Sequence, residues 1–153
     1  MGFAMYPAEV PHSGADGPAR LAAAAYAAYE RVNVEAFRGD PVANPRLVVE
    51  VIATDLVAGW PALVLLTPWT LNGLIFPGNA ADSEIPQSLE IAGTPRPVFL
   101  ITMPDLPRHA SVNLVGDVSR WSSPEQARTV ARSFVAPFMA AVAVALPGFE
   151  EPA

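Results

Sequence analysis

Between Leu47 and Val118 the apolar residues of this chain recur with a period of two, and on either side of that stretch with a period of three to four. That change of period constrains the fold more than any other feature. Leu47, Val49, Val51 and Ala53 alternate with Val48, Glu50, Ile52 and Thr54, a strand pattern enriched in β-branched residues. Ala58-Gly59-Trp60-Pro61 makes a tight connection into Ala62 to Thr67, which is apolar on both faces and therefore central. A third strand is expected over about Leu71 to Phe76, a fourth from Pro97 to Met103 and a fifth from about Ala110 to Val118. Residues 77 to 95 carry turn chemistry and charge, and Pro104 to His109 form a short hairpin-like link. Consecutive strands on short links pair antiparallel.

The flanks are helical. Leu21, Ala25, Ala28, Tyr29, Val32 and Ala36 mark one face of a helix from Pro18 to about Phe37, ended by Gly39-Asp40-Pro41 and Asn44-Pro45. Ser123-Pro124-Glu125-Gln126 opens a second, longer helix. Its serine accepts from the amide of Gln126, the glutamine reaches back to the amide of Ser123, and the proline occupies a position that needs no donor. Pro137 kinks that helix, and Pro147-Gly148 ends it. The fold class is α+β: a two-layer domain with an about five-stranded, largely antiparallel sheet covered by an N-terminal and a long C-terminal helix. Residues 1–17 read as a flexible N-terminal arm and 18–149 as a single domain.

Composition removes several kinds of chemistry. Without cysteine there is no disulfide, thiolate metal site or thiol nucleophile, and without lysine no Schiff base or phosphate-loop lysine. A formal charge of −6 speaks against nucleic acid, which demands a basic patch. The uncharged run from Phe134 to Leu146 is too short to cross a bilayer, which takes about 20 residues, and Pro137 interrupts it; no membrane insertion is expected. The alanine-rich segment after Arg20 starts late for a secretory signal and continues into Glu30-Arg31.

No catalytic or metal-binding pattern stands out, and no cofactor is expected. His12 falls in the arm. His109, with Ser111 and Asp105 nearby, lacks a nucleophile elbow and reads as a solvated turn histidine. Asp82 and Glu84 share a loop, and Glu50 and Asp55 guard a strand edge. What remains is aromatic: Trp60, Trp69, Phe76 and Trp121 sit near turns. There they either plug the ends of the core or form a recognition surface.

One segment decides between kinds of protein. Thr67-Pro68-Trp69, then Thr70-Leu71, then Leu74-Ile75-Phe76-Pro77-Gly78, resembles the signature of the HybE/HupJ-type [NiFe]-hydrogenase assembly chaperones, with Gly59-Trp60 in the turn before it. The resemblance spans about Ala19 to Leu146. It implies a non-catalytic, cytoplasmic maturation factor that holds a hydrogenase subunit precursor, including the small subunit with its twin-arginine signal, alongside other maturation factors. The partner-binding surface expected from it comprises Thr67, Pro68, Trp69, Leu71, Phe76, Pro77 and Gly78, with Trp60 beside them, and Asp82 and Glu84 offer negative charge to an arginine pair. Some relatives carry a cysteine-ligated rubredoxin domain; this chain has no cysteine, so that part does not carry over. The alternative is a small α+β domain that binds an apolar small molecule between the sheet and the C-terminal helix.

Overall fold

The computed structural model describes residues 16–146. Of the arm expected over residues 1–17, residues 1–15 with His12 lie outside the described residues, as does the Pro147-Gly148 stop, while Asp16 and Gly17 already belong to the first helix. Helix α1 spans Asp16–Val32 and widens into a π-helical turn over Asn33–Phe37. Six strands follow: β1 Glu50–Val57, β2 Trp60–Leu66, β3 Leu71–Ile75, β4 Ser88–Ile91, β5 Thr94–Met103 and β6 Leu106–Val115. Helices α2, Pro124–Ser133, and α3, Val135–Ala145, close the chain. The strands form one antiparallel sheet in the order β1-β2-β3-β6-β5-β4.

The α+β class, the antiparallel sheet and a helix at each end are as the sequence implies. The sheet has six strands rather than five. The extra strand, β4, comes from the stretch expected to be loop: Leu89 and Ile91 are buried while Ser88 and Glu90 are exposed. It turns into β5 through Ala92 and Gly93, both at positive φ, the geometry that tight hairpins require. The β5–β6 link shrinks to Pro104 and Asp105, so both strands are longer than expected and His109 lies inside β6.

Alternate residues of β2 show how the layers stack. Trp60, Ala62, Val64 and Leu66 pack with Ala127, Ala131, Phe138, Ala141 and Val142 of α2 and α3. Leu63 and Leu65 pack with Leu21, Ala25, Ala28 and Tyr29 of α1. The helices therefore take opposite faces, and the sheet lies between them as a third layer beyond the two expected. This is why β2 is apolar on both sides.

Ser123 caps α2 as expected, accepting from the Gln126 amide at 3.1 Å with Pro124 in the first turn. Gln126 reaches the amide and hydroxyl of Ser122, at 2.8 and 2.9 Å, not the amide of Ser123. Pro137 acts one turn upstream. It cannot donate to the Ser133 carbonyl, and the helix breaks at Phe134 into α2 and α3. Together the two span 22 residues, long and apolar enough by composition to cross a membrane, but broken at Phe134 and packed along one side on the sheet.

Candidate functional site

The corner between β2 and β3 is shaped by one hydroxyl. Thr67 is fully buried, and its Oγ1 accepts from the amides of Trp69 at 3.2 Å and Thr70 at 2.9 Å. Its own amide donates to the Thr70 carbonyl at 2.8 Å. Pro68 holds Thr67 extended, and its carbonyl accepts from the Asn44 amide at 2.7 Å. Asn44, itself buried, donates through Nδ2 to the carbonyls of Val118 and Trp121 at 3.0 and 2.9 Å. One asparagine thus ties the corner to the segment leading into α2.

On this frame Trp69 is half-buried. Its ring lies against Phe37 with centroids 4.0 Å apart and planes 8° from parallel. Phe37 closes the π-helical turn, in which the Arg38 amide donates to the Asn33 carbonyl at 2.7 Å. The wider turn is what delivers an aromatic ring from the end of α1 to the corner.

The other residues of the signature serve the core. Leu71 and Phe76 are buried, as are Pro68, Pro77 and Trp60, while Gly78 is exposed at φ 60°. Gly73, between them, permits a close approach: a Cβ there would run into the ring of Phe138. Phe138 fills the space between the sheet and α3 and is itself fully buried. The volume that a small-molecule site under the C-terminal helix needs is occupied by this ring.

Phe76 packs at 5.4 Å between centroids from His109. That histidine is 0 % exposed, not the solvated turn residue the sequence suggests. Its Nδ1 lies 3.0 Å from the Pro107 carbonyl, which only accepts, so Nδ1 carries the hydrogen and Nε2 accepts from the Tyr29 hydroxyl at 2.9 Å. Burial lowers the His109 pKa, and burial pushes that of Tyr29 up to about 12. Both groups are therefore neutral, and the pair is a buried clasp between α1 and β6. Asp105 is turned away to Arg31 at 2.5 Å, so His109, Ser111 and Asp105 form no triad.

The acidic loop is also spoken for. Asp82 pairs with Arg108, which donates to the Ala80 carbonyl at 2.5 Å as well, and Glu84 accepts from the Ala81 amide at 2.8 Å. These carboxylates fasten their own loop while remaining exposed to solvent. Glu50, on the edge strand β1, accepts from Arg128 Nε with both oxygens, at 3.0 and 2.9 Å, and so ties α2 to that edge. Among the described residues no group of three or more carboxylates and histidines is close enough to hold a metal ion.

A family model described as [NiFe]-hydrogenase assembly, chaperone, HybE matches residues 20–151. The chain belongs to the HybE family of hydrogenase assembly chaperones. A curated relative, hydrogenase expression/formation protein HoxT of Azotobacter vinelandii, is 36% identical over 110 residues, covering 68% of this chain and 71% of that protein. No solved structure matches. Within this HybE-family chain, sequence reasoning located the corner but missed its supports. Asn44 looked like a loop residue, and Phe37 like the end of a helix. Gly73 sat unmarked inside the signature, although a glycine inside a strand often signals a close approach.

Proposed function

We propose that this chain is a non-catalytic, cytoplasmic chaperone that holds a [NiFe]-hydrogenase subunit precursor, the small subunit with its twin-arginine signal foremost, and that Trp69 is its anchor. The observation that carries the reading is the Trp69–Phe37 stack. A partly buried indole, packed against the α1-side core, is held by a second ring and by a corner whose hydroxyl and amides are internally satisfied. Such a side chain loses little conformational entropy on binding, and rigid aromatic anchors of this kind dominate protein interfaces. In this reading Trp69 and Gly78 touch the client. Thr67, Pro68 and Leu71 fix Trp69 at one end of β2 and β3, whereas Trp60, Phe76, Pro77 and Gly78 lie at the other end of the same two strands and form a separate contact. Family membership supports a hydrogenase subunit as the client and an assembly role rather than a reaction.

The test is affinity purification from a host expressing the hydrogenase. The wild-type chain is expected to recover an unprocessed subunit, and Trp69→Ala to recover at least about tenfold less, the loss of roughly 1.4 kcal/mol or more expected for an interface anchor. The variant's circular dichroism is expected to stay close to wild type, with a lowered unfolding midpoint because the indole also packs against Phe37 and the α1-side core. A folded Trp69→Ala chain that still recovers the full amount removes Trp69 as the anchor. A wild-type chain that recovers no subunit under inducing conditions removes the chaperone reading itself.

A further inference from the structure

The two edges of the sheet are not alike. At β1 a carboxylate ion pair to α2, a second acid at Asp55 and a register shift between Val51 and Ala53 interrupt the edge. These are ordinary defences against unwanted strand pairing. At the opposite edge β4 has four residues and β5 ten, so the two pair only between Ser88–Pro97 and Ile91–Thr94. The Val98 amide still donates outward, to the Gln87 carbonyl at 2.9 Å. Successive residues of a strand aim their amides to opposite sides, so the next outward ones are those of Leu100 and Thr102. Among the described residues no backbone group meets them, while the inner side of β5 is taken by β6 as far as Met103, with a register shift between Ile101 and Met103 that lies within this segment. From Val98 to Met103 there is no charge, glycine or proline. Phe99 is 57 % exposed on one face and Leu100 40 % on the other.

We propose that the free edge of β5, from Phe99 to Met103, receives an extended, uncharged segment of the hydrogenase subunit precursor as a seventh strand. The proposal rests on the chaperone reading above and adds a second contact to the Trp69 corner. The chemistry of the edge identifies the occupant. Outward N–H and C=O groups in ladder spacing are matched by another extended backbone, the mode of recognition that edge strands offer. Apolar side chains on both faces favour a segment that is itself apolar. A second copy of this chain brings a second formal charge of −6, and that repulsion opposes self-pairing, whereas an uncharged segment meets none. Between the Gln87–Val98 bond and the turn at Pro104 the edge accommodates a strand of about five residues, roughly 17 Å. Main-chain pairing tolerates varied sequences, as a factor that handles an unfinished subunit requires.

Hydrogen exchange on the full-length chain tests this, with the purified unprocessed small-subunit precursor and, separately, the large-subunit precursor as probes. The amides of Leu100 and Thr102 are expected to slow at least about tenfold in one complex, the response of a group entering a ladder. Leu100→Pro removes the outward donor but leaves the β6-facing amides of Phe99 and Ile101, a placement that edge strands accept. It is expected to weaken binding about tenfold or more, with Leu100→Lys as a second variant that keeps the amide and adds an edge charge. A complex that forms while both amides exchange as in the free chain overturns the proposal and leaves the chaperone reading standing. Protection that appears without any precursor, rising with concentration and with a doubled mass, makes a second copy the occupant and overturns it too. Protection in the isolated chain that vanishes when residues 1–15 are removed assigns the edge to the chain's own N-terminal segment and likewise overturns the proposal. If neither precursor binds at all, the chaperone reading falls and this proposal with it.

Discussion

Under α2 and α3 the sheet is covered at its centre by apolar atoms alone, with Phe138 seated on Gly73. Under α1 the cover includes a buried hydrogen bond, Tyr29 to His109, and ends in the Phe37–Trp69 stack at the surface. A dry, close-packed face is sensitive to volume, because neighbours cannot relax to fill or make space. A face with a buried polar pair is sensitive to the loss of a partner and to protons. The same chain therefore meets mutation and pH through different faces.

The largest effect is expected from Phe138→Ala. Truncating the ring empties the space over Gly73 and should cost about 3–5 kcal/mol in urea or thermal unfolding. A loss under about 1 kcal/mol would show that the face is not sealed by this ring. Gly73→Ala attacks the same contact from the other side, by adding volume where a Cβ would meet the ring. It should cost about 1–3 kcal/mol, and combining it with Phe138→Leu should recover part of that loss, a coupling readable in a double-mutant cycle.

On the α1 face the effects are smaller. Tyr29→Phe deletes the donor to His109 Nε2 and leaves a buried acceptor without a partner, at a cost of about 1 kcal/mol by chemical denaturation. The smallest effect is the pH dependence. The folded pKa of His109 lies below that of the unfolded chain, so unfolding takes up a proton as pH falls beneath the ordinary imidazole value of about 6.5. The histidine's stabilising contribution is therefore complete above that value. It declines as pH falls toward the folded pKa, by less than about 1 kcal/mol between pH 7 and 6. His109→Gln should flatten that slope in a series of unfolding midpoints. An unchanged slope would move the titrating group elsewhere and leave both faces equally indifferent to protons.

Much of this was legible from local pattern. The doubly apolar β2 and the Ser123-Pro124 cap each follow from a few adjacent residues and form close to where the sequence puts them. The strand expected from Leu47 instead begins at Glu50, shifts register between Val51 and Ala53, and leaves Leu47 packed on the other core from Val49 and Val51. Leu89 and Ile91 also alternate with polar neighbours, but the run is only four residues between turn signals, too short to outweigh them. His109 was obscured by Pro104 and Pro107. Pro107 sits inside β6, so prolines that suggested a link lie partly within a strand. The supports of the corner were illegible for a different reason. Asn44 bonding to Val118 and Trp121, Phe37 stacking on Trp69 and Phe138 resting on Gly73 are encounters between distant segments, and no local period announces them.

The strand order has a kinetic meaning. β1-β2-β3 and β4-β5-β6 are each a run of consecutive hairpins, and the seam between β3 and β6 joins neighbours that are not consecutive in the chain. Each run can form from nearby residues, whereas the seam must close the long excursion from Phe76 to His109 before its ladder yields any gain. Folding speed is thus expected to be set where Leu71–Ile75 meet Ala110–Val115. Changes that weaken that seam should slow refolding, and changes confined to the outer strands should chiefly hasten unfolding.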